Sequence, residues 1–267
     1  MMNHRLTPEL EELRRTVEEF AHDVVAPKIG DFYERHEFPY EIVREMGRMG
    51  LFGLPFPEEY GGMGGDYLAL GIALEELARV DSSVAITLEA GVSLGAMPIH
   101  LFGTEEQKRE WLPRLCAGEI LGAFGLTEPD GGSDAGATRT TARLDPDTDE
   151  WVINGSKCFI TNSGTDITGL VTVTAVTGRK PDGRPLISAI IVLPAPPASR
   201  WPRPTPRWAG TPRTPVSCPS PTSVCRRPTC WAKRAAATRS SCGSWTRAAS
   251  RSRPWRRGSP RAVWTSR

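Results

Sequence analysis

The sequence has no acidic residue after Asp182 and, from residue 195 to the end, no Leu, Ile, Phe, Met or Tyr. Those 73 residues hold twelve Pro, fifteen Arg, one Lys and only three Val, a net charge of +16. A segment with so little to bury cannot offset the entropy of ordering its backbone, which predicts no stable fold there. Residues 1–194 carry 17 Lys and Arg against 31 Asp and Glu, a net of -14, so the overall +2 hides two opposed halves. Cysteine is scarce outside the tail: Cys116 and Cys158 stand alone, and two scattered thiols fit a reducing, cytoplasmic setting. No apolar run of signal-peptide length opens the chain, and no stretch approaches the roughly 18 apolar residues of a membrane span.

Three readings compete for the tail. Arg and Trp together suit phosphate contact and base stacking, as in a nucleic-acid-binding extension. The four tail cysteines, Cys218, Cys225, Cys230 and Cys242, could hold zinc, but they contain no C-x2-C pair and the tail has no His. The third reading is a shift of reading frame between about Leu193 and Arg200, because the composition collapses toward Arg, Pro, Ser, Ala, Thr, Trp and Cys, as a GC-rich message read off-frame would give. We favour the third. The nucleotide sequence across codons 190 to 205 decides it, and the idea fails if neither alternative frame continues into an amphipathic helical sequence.

What is present before the tail is periodic. Leu6, Leu10, Leu13, Val17, Phe20 and Val24 recur at spacings of three and four, with charges on the other face, which predicts an amphipathic helix stopped near Pro27. Pro39 can open a second helix carrying Ile42, Val43, Met46 and Met49, with Gly50 placed to end it. The Pro- and Gly-rich stretch 55–65 must be a loop. Residues 68–80 and 84–99 are apolar on nearly every face and predict two buried helices, with Asp81 or Ser82 capping the second. Thr104 and Gln107 form a capping-box pattern, and Gly118 stands where that last helix should stop. Residues 1–118 therefore read as an all-helical domain.

After Gly118 the period shortens. Residues 138–144 and 150–153 flank a turn-rich 145–149, and the β-branched runs 171–176 and 186–192 flank Lys180-Pro181-Asp182-Gly183; each pair predicts a hairpin. The expected fold class is α+β: an N-terminal helical domain (1–118), a small antiparallel, barrel-like β domain (119–194), and a disordered basic tail (195–267).

Chemistry concentrates in Gly125-Leu126-Thr127-Glu128-Pro129-Asp130-Gly131-Gly132-Ser133-Asp134. A hydroxyl, a turn and bare glycine backbone suit the close approach of an anionic ligand. The spacing matches neither a Rossmann nor a P-loop site. Read without a family, Gly131 and Gly132 are a turn, Phe159 and Thr161 are residues of an alternating strand, and Glu75, Glu76 and Glu89 are solvated or helix-paired. His100 reads as a helix-end residue and the two thiols as packing groups.

As a string, G-L-T-E-P-x-G-G-S-D resembles the signature of acyl-CoA dehydrogenases, and Asn154-Gly155-Ser156-Lys157-Cys158-Phe159-Ile160-Thr161-Asn162 is similar to that family's N-G-x-K-x-W-I-T-N segment. Pro55, Glu58, Tyr60, Gly61 and Gly62 resemble its P-x-E-Y-G-G loop. The resemblance covers residues 6–194. It implies an FAD-dependent oxidoreductase that dehydrogenates the α,β carbon bond of an acyl-CoA thioester. It also implies electron-transfer flavoprotein as electron acceptor and a homo-oligomer. FAD would be held by Phe124, Gly125, Leu126, Thr127, Gly132, Ser133, Phe159, Ile160 and Thr161. Thr127 would bond the pyrimidine edge, Ser133 would reach phosphate or the CoA side, and Thr161 would bond near flavin N5. Phe159 stands where the family often has Trp, which keeps stacking and loses the indole donor. The family's base, a Glu, lies in a C-terminal helical bundle, so no residue here is expected to be catalytic. The chain as written is expected to bind FAD weakly or not at all and to show no turnover. The alternative is a non-catalytic binding protein that uses the basic tail for nucleic acid or another partner.

Overall fold

The computed structural model describes residues 6–146 and 150–193, with the backbone of 223–225. The expectations for the rest of the tail lie outside the described residues. Helix α1 (Pro8–Phe20) starts with the Thr7 hydroxyl accepting the Leu10 N–H and passes through a π-helical turn (Ala21–Val25) into α2 (Ala26–Arg35). Pro27 thus does not stop the helix. It sits in the first turn of α2, where the preceding wide turn accommodates a residue with no N–H to give, and the helix ends only at left-handed His36.

Helix α3 (Tyr40–Arg48) follows Pro39, and left-handed Gly50 closes it. Residues 51–66 are short 3-10 turns and loop, after which Asp66 caps α4 (Tyr67–Val80) by accepting the Leu68 and Ala69 N–H groups. This helix is less buried than its composition suggested. Ala69, Leu70, Ile72, Ala73 and Leu77 face inward, while Tyr67 and Leu68 are exposed. On the buried face Glu76 lies between Arg14 and Arg79, each Nε at 3.3 Å, which ties α1 to α4.

One continuous helix, Ser82–Phe102, forms the centre of the helical part as α5 (Ser82–Glu89), a π-helical stretch (Ala90–Ala96) and α6 (Met97–Phe102). Asp81 caps it, accepting from the Ser83 and Val84 N–H groups. Contrary to the expectation that no stretch approaches a membrane span, an 18-residue window of this helix has a mean hydropathy of 1.4; that window is also mostly buried inside the fold, as a core helix is. His100 sits edge-on to Phe56, with ring centroids 5.6 Å apart. The capping box of Thr104 and Gln107 starts α7 (Glu105–Cys116), and Gly118 turns the chain at φ +65°.

The β part is a mixed sheet, not the antiparallel barrel expected. Its strands are β1 (Leu121–Gly125), β2 (Thr141–Asp145), β3 (Glu150–Asn154), β4 (Thr168–Arg179), β5 (Pro185–Val192) and β6 (Ser223–Cys225). The two anticipated hairpins, β2 with β3 and β4 with β5, form as antiparallel pairs. Two strands were not anticipated: β6, which pairs antiparallel with β3 from within the stretch expected to have no fold, and β1, which runs parallel to β4, with Ala123 opposite Val171 and Gly125 opposite Val173. The 42 residues between them supply the long crossover that parallel pairing needs. Among the described residues the path runs β1-β4-β2-β3-β6, with β5 on β4, and does not close.

Leu121, Leu170 and Ile191 from the sheet belong to the same apolar cluster as Leu88, Val92 and Ile99 of the central helix. A second cluster, with Ala123, Trp151, Ile160, Val173 and Ile190, fills the interior of the β part.

Candidate functional site

The two stretches singled out by sequence lie side by side. Where β1 ends, the chain turns at Pro129-Asp130, and Glu128 and Gly131 exchange backbone hydrogen bonds of 2.8 and 3.1 Å. The turn folds back on itself: a Cβ added to Gly132 would stand 3.5 Å from the Thr127 methyl group, and one on Gly131 would meet open space. Ser133 is exposed at the outer end, and Asp134 closes the turn by accepting the Gly136 N–H.

The second stretch is held against the first. The Cys158 N–H donates to the Thr127 carbonyl at 2.9 Å, and a Cβ on Gly125 would touch the Lys157 and Ile160 side chains at 3.3 and 3.4 Å. Residues 159–161 are not a strand, as their alternation suggested. Phe159 has φ +57° and Asn162 φ +65°, and left-handed backbone breaks the two-residue alternation of a strand. Phe159 is 51 % exposed, Thr161 is half-buried, and the Ile160 side chain is packed into the β core, so what Ile160 offers a ligand is its backbone. Gly125 is buried; Phe124, Leu126 and Thr127 are half-buried.

Sequence reasoning missed what fastens the two stretches together. Lys157, 2 % exposed, donates from Nζ to Glu128 Oε1 (2.8 Å), to the Leu126 carbonyl (3.0 Å) and to Thr174 Oγ1 of β4 (3.0 Å). Glu128, itself buried, also accepts from the Arg139 and Thr140 N–H groups at 2.8 and 3.0 Å. Burial alone would raise the Glu128 carboxyl, but the bonds from Lys157 and from these backbone donors outweigh it and bring it down to about 2. Burial pulls the Lys157 ammonium below its ordinary value, with Glu128 opposing. Both residues stood inside the quoted motifs; a Lys between a Gly-rich turn and an apolar segment, with a Glu in the other motif, was the available signal.

Other candidates resolve simply. Glu75 pairs with Arg79 at 2.9 Å, Glu89 is raised by burial, and burial pushes the Cys116 thiol up to about 12. Among the described residues no group of three or more His, Cys, Asp or Glu side chains could hold a metal ion. The site is therefore built of backbone, hydroxyls, glycines and the rings of Phe124 and Phe159 on a buried ion pair. Such a surface suits a flat, polar-edged ligand that takes hydrogen bonds along its rim and a ring contact on its face.

Two family models match the chain. The model of the acyl-CoA dehydrogenase N-terminal domain matches residues 7–119, and that of the middle domain matches residues 123–219, running into the stretch read above as out of frame. The short-chain specific acyl-CoA dehydrogenase of Clostridium acetobutylicum is 46 % identical over 191 residues, 72 % of this chain and 49 % of that protein. Among solved structures, the acyl-CoA dehydrogenase of Bacillus anthracis complexed with FAD superposes with a TM-score of 0.70 at 33 % identity. That superposition covers 86 % of this chain and 37 % of the other. A structure described as the electron transferring flavoprotein of Acidaminococcus fermentans gives 0.71 at 38 % identity, over 86 % and 57 %. The chain spans about half the length of the curated relatives it matches.

Proposed function

Because the chain belongs to the acyl-CoA dehydrogenase family, we propose that it carries the FAD-binding face of an oxidoreductase acting on the CH–CH bond beside an acyl-CoA thioester. The observation that carries this reading is the Cys158–Thr127 hydrogen bond, which sets Phe124–Thr127 and Phe159–Thr161 against each other. The residues fit a flavin: Phe159 is half exposed, the Gly131-Gly132 backbone is bare, and Thr127 and Thr161 are half-buried residues that carry hydroxyls.

In this reading Thr127 holds the pyrimidine edge and Thr161 donates near N5. Phe159 stacks on the ring, with Phe124, Gly125, Leu126 and the Ile160 backbone completing the wall. Gly132 and Ser133 face the pyrophosphate, with Ser133 also turned toward the CoA side. When bound, the flavin supplies the acceptor for the β-hydrogen leaving as hydride. The α-proton needs a carboxylate base. We assign that role to no residue of this chain, because Glu128, the carboxylate built into the site, is committed to Lys157 and two backbone donors. Electron-transfer flavoprotein as acceptor, assembly into a homo-oligomer and a cytoplasmic location complete the proposal; the likeness to the Acidaminococcus flavoprotein supports the first.

The test is titration of the 267-residue chain with FAD, followed by quenching of flavin fluorescence, and then anaerobic addition of an acyl-CoA. We expect weak binding and no bleaching. Unchanged fluorescence up to saturating protein would sink the flavin reading. Bleaching would show that the chain carries a base after all, and a salt-dependent gel shift with RNA or DNA in place of flavin binding would favour the nucleic-acid alternative.

A further inference from the structure

Residues 158–161 are suspended between two buried polar side chains, Lys157 and Asn162. At one end, Lys157 joins the segment to the Leu126 carbonyl, to Glu128 and to β4 through Thr174. At the other, Asn162, 3 % exposed, donates from Nδ2 to the Thr87 carbonyl of α5 at 2.9 Å, while its backbone carbonyl accepts the Thr168 hydroxyl at 2.8 Å. The Thr87 carbonyl lies where α5 gives way to the π-helical stretch, and it also takes the Ala90 N–H, so the Asn162 amide uses its second lone pair. A Cβ on Gly91 would stand 2.9 Å from the Phe52 ring, so the bare backbone there makes room for Phe52, while Asn162 Nδ2 at 3.6 Å is in ordinary contact.

Between these anchors the backbone takes a shape that a Phe does not adopt readily. Phe159 is left-handed at φ +57°, outside the region favoured by bulky side chains, and such a conformation persists only where the surroundings over-determine it. A single attachment would let the segment relax; two attachments with four residues between them, one to the sheet and one to the helices, do not.

We propose that Lys157 and Asn162 are positioning residues that clamp segment 158–161 from both domains and so fix the Phe159 ring and the Thr161 hydroxyl toward the cofactor face. The inference rests on the flavin reading for its purpose, but not for its geometry. It also means that movement of the central helix at Thr87 is transmitted directly to the residue next to Thr161.

The test is amide hydrogen exchange of the flavin-free chain, read by peptide mass spectrometry, in Lys157→Met and Asn162→Ala. Exchange over 158–162 should accelerate at least tenfold more than that of β4 and β5 in both variants, the two strands reporting any global destabilisation. Unchanged exchange over 158–162, or acceleration shared equally by β4 and β5, overturns the proposal, because a merely structural role would loosen the sheet as a whole. Should Lys157→Met fail to fold, the double variant Glu128→Gln/Lys157→Met, which leaves no unpaired charge, replaces it. FAD titration gives the second readout: if the parent binds, both variants should bind at least tenfold more weakly, and equal affinity overturns the role. A parent that takes no FAD defeats the flavin reading alone, and the exchange rates still decide the clamp.

Discussion

Gly95 of the π-helical stretch and Gly122 of β1 meet backbone to backbone across the junction of the helical and β parts. A Cβ on Gly95 would stand 2.7 Å from Gly122 Cα, and one on Gly122 would stand 2.6 Å from Gly95 Cα. Real side chains do not approach so closely, so neither position tolerates even alanine without the helix moving off the sheet. Because β1 leads directly into Phe124–Thr127, this contact sets where the first half of the site lies relative to the helices.

Gly95→Ala and Gly122→Ala are therefore expected to destabilise the chain by about 1–3 kcal/mol each, the ordinary cost of overpacking, despite the better helix propensity of Ala at position 95. Urea unfolding followed by circular dichroism measures this. A Gly95→Ala variant as stable as the parent would show that the two backbones are not in contact.

The Lys157–Glu128 pair predicts a pH dependence of definite sign. Glu128 has a folded value of about 2 against an ordinary 4.5. Its depressed value means that the stabilisation is fully present above 4.5 and is lost as pH falls toward 2. Glu128→Gln should flatten that part of the stability curve. Lys157→Met, which leaves a buried carboxylate unpaired, should cost about 3–5 kcal/mol at neutral pH, and Glu128→Gln/Lys157→Met should recover much of it. Thermal unfolding of the three variants across this range checks the order. A double variant less stable than Lys157→Met would contradict it.

Phe159→Gly should move stability and ligand affinity in opposite directions. Glycine accepts φ +57° without strain, and a half-exposed ring gives up little packing, so stability should hold or rise by up to about 1 kcal/mol. Loss of the stacking surface should weaken FAD by about fivefold, near 1 kcal/mol. Differential scanning fluorimetry beside a flavin titration separates the two effects, and a variant that lost both stability and affinity would mean that Phe159 is a packing residue.

Much of this was legible beforehand because it is local. The Asp81 cap, the Thr104–Gln107 capping box, the Gly50 and Gly118 stops and both hairpins each depend on residues a few positions apart. The misreadings have a common cause in context. Pro27 looked like a helix stop because nothing local announces a π turn ahead of it. Residues 159–161 looked like a strand because alternating polarity does not reveal a left-handed Phe held from two sides. For β1, the run Leu121–Gly125 contains two glycines, and its parallel partner lies more than forty residues away. Of the site, the two motifs were visible as strings, and the bonds that join them were not.

By itself, then, the sequence determined most of the helices, the Asp81 and Thr104 caps, the hairpins, the split between an acidic body and a basic tail, and the two motifs that mark the family, because spacing and turn chemistry act within a few residues. Only the tertiary structure decided the parallel pairing of β1 with β4, the burial of Lys157 on Glu128, the reach of Asn162 to Thr87 and the contact of Gly95 with Gly122. Each of these joins residues far apart in the chain, and their free energy comes from desolvated polar pairs and close backbone approach, which exist only after the chain has packed.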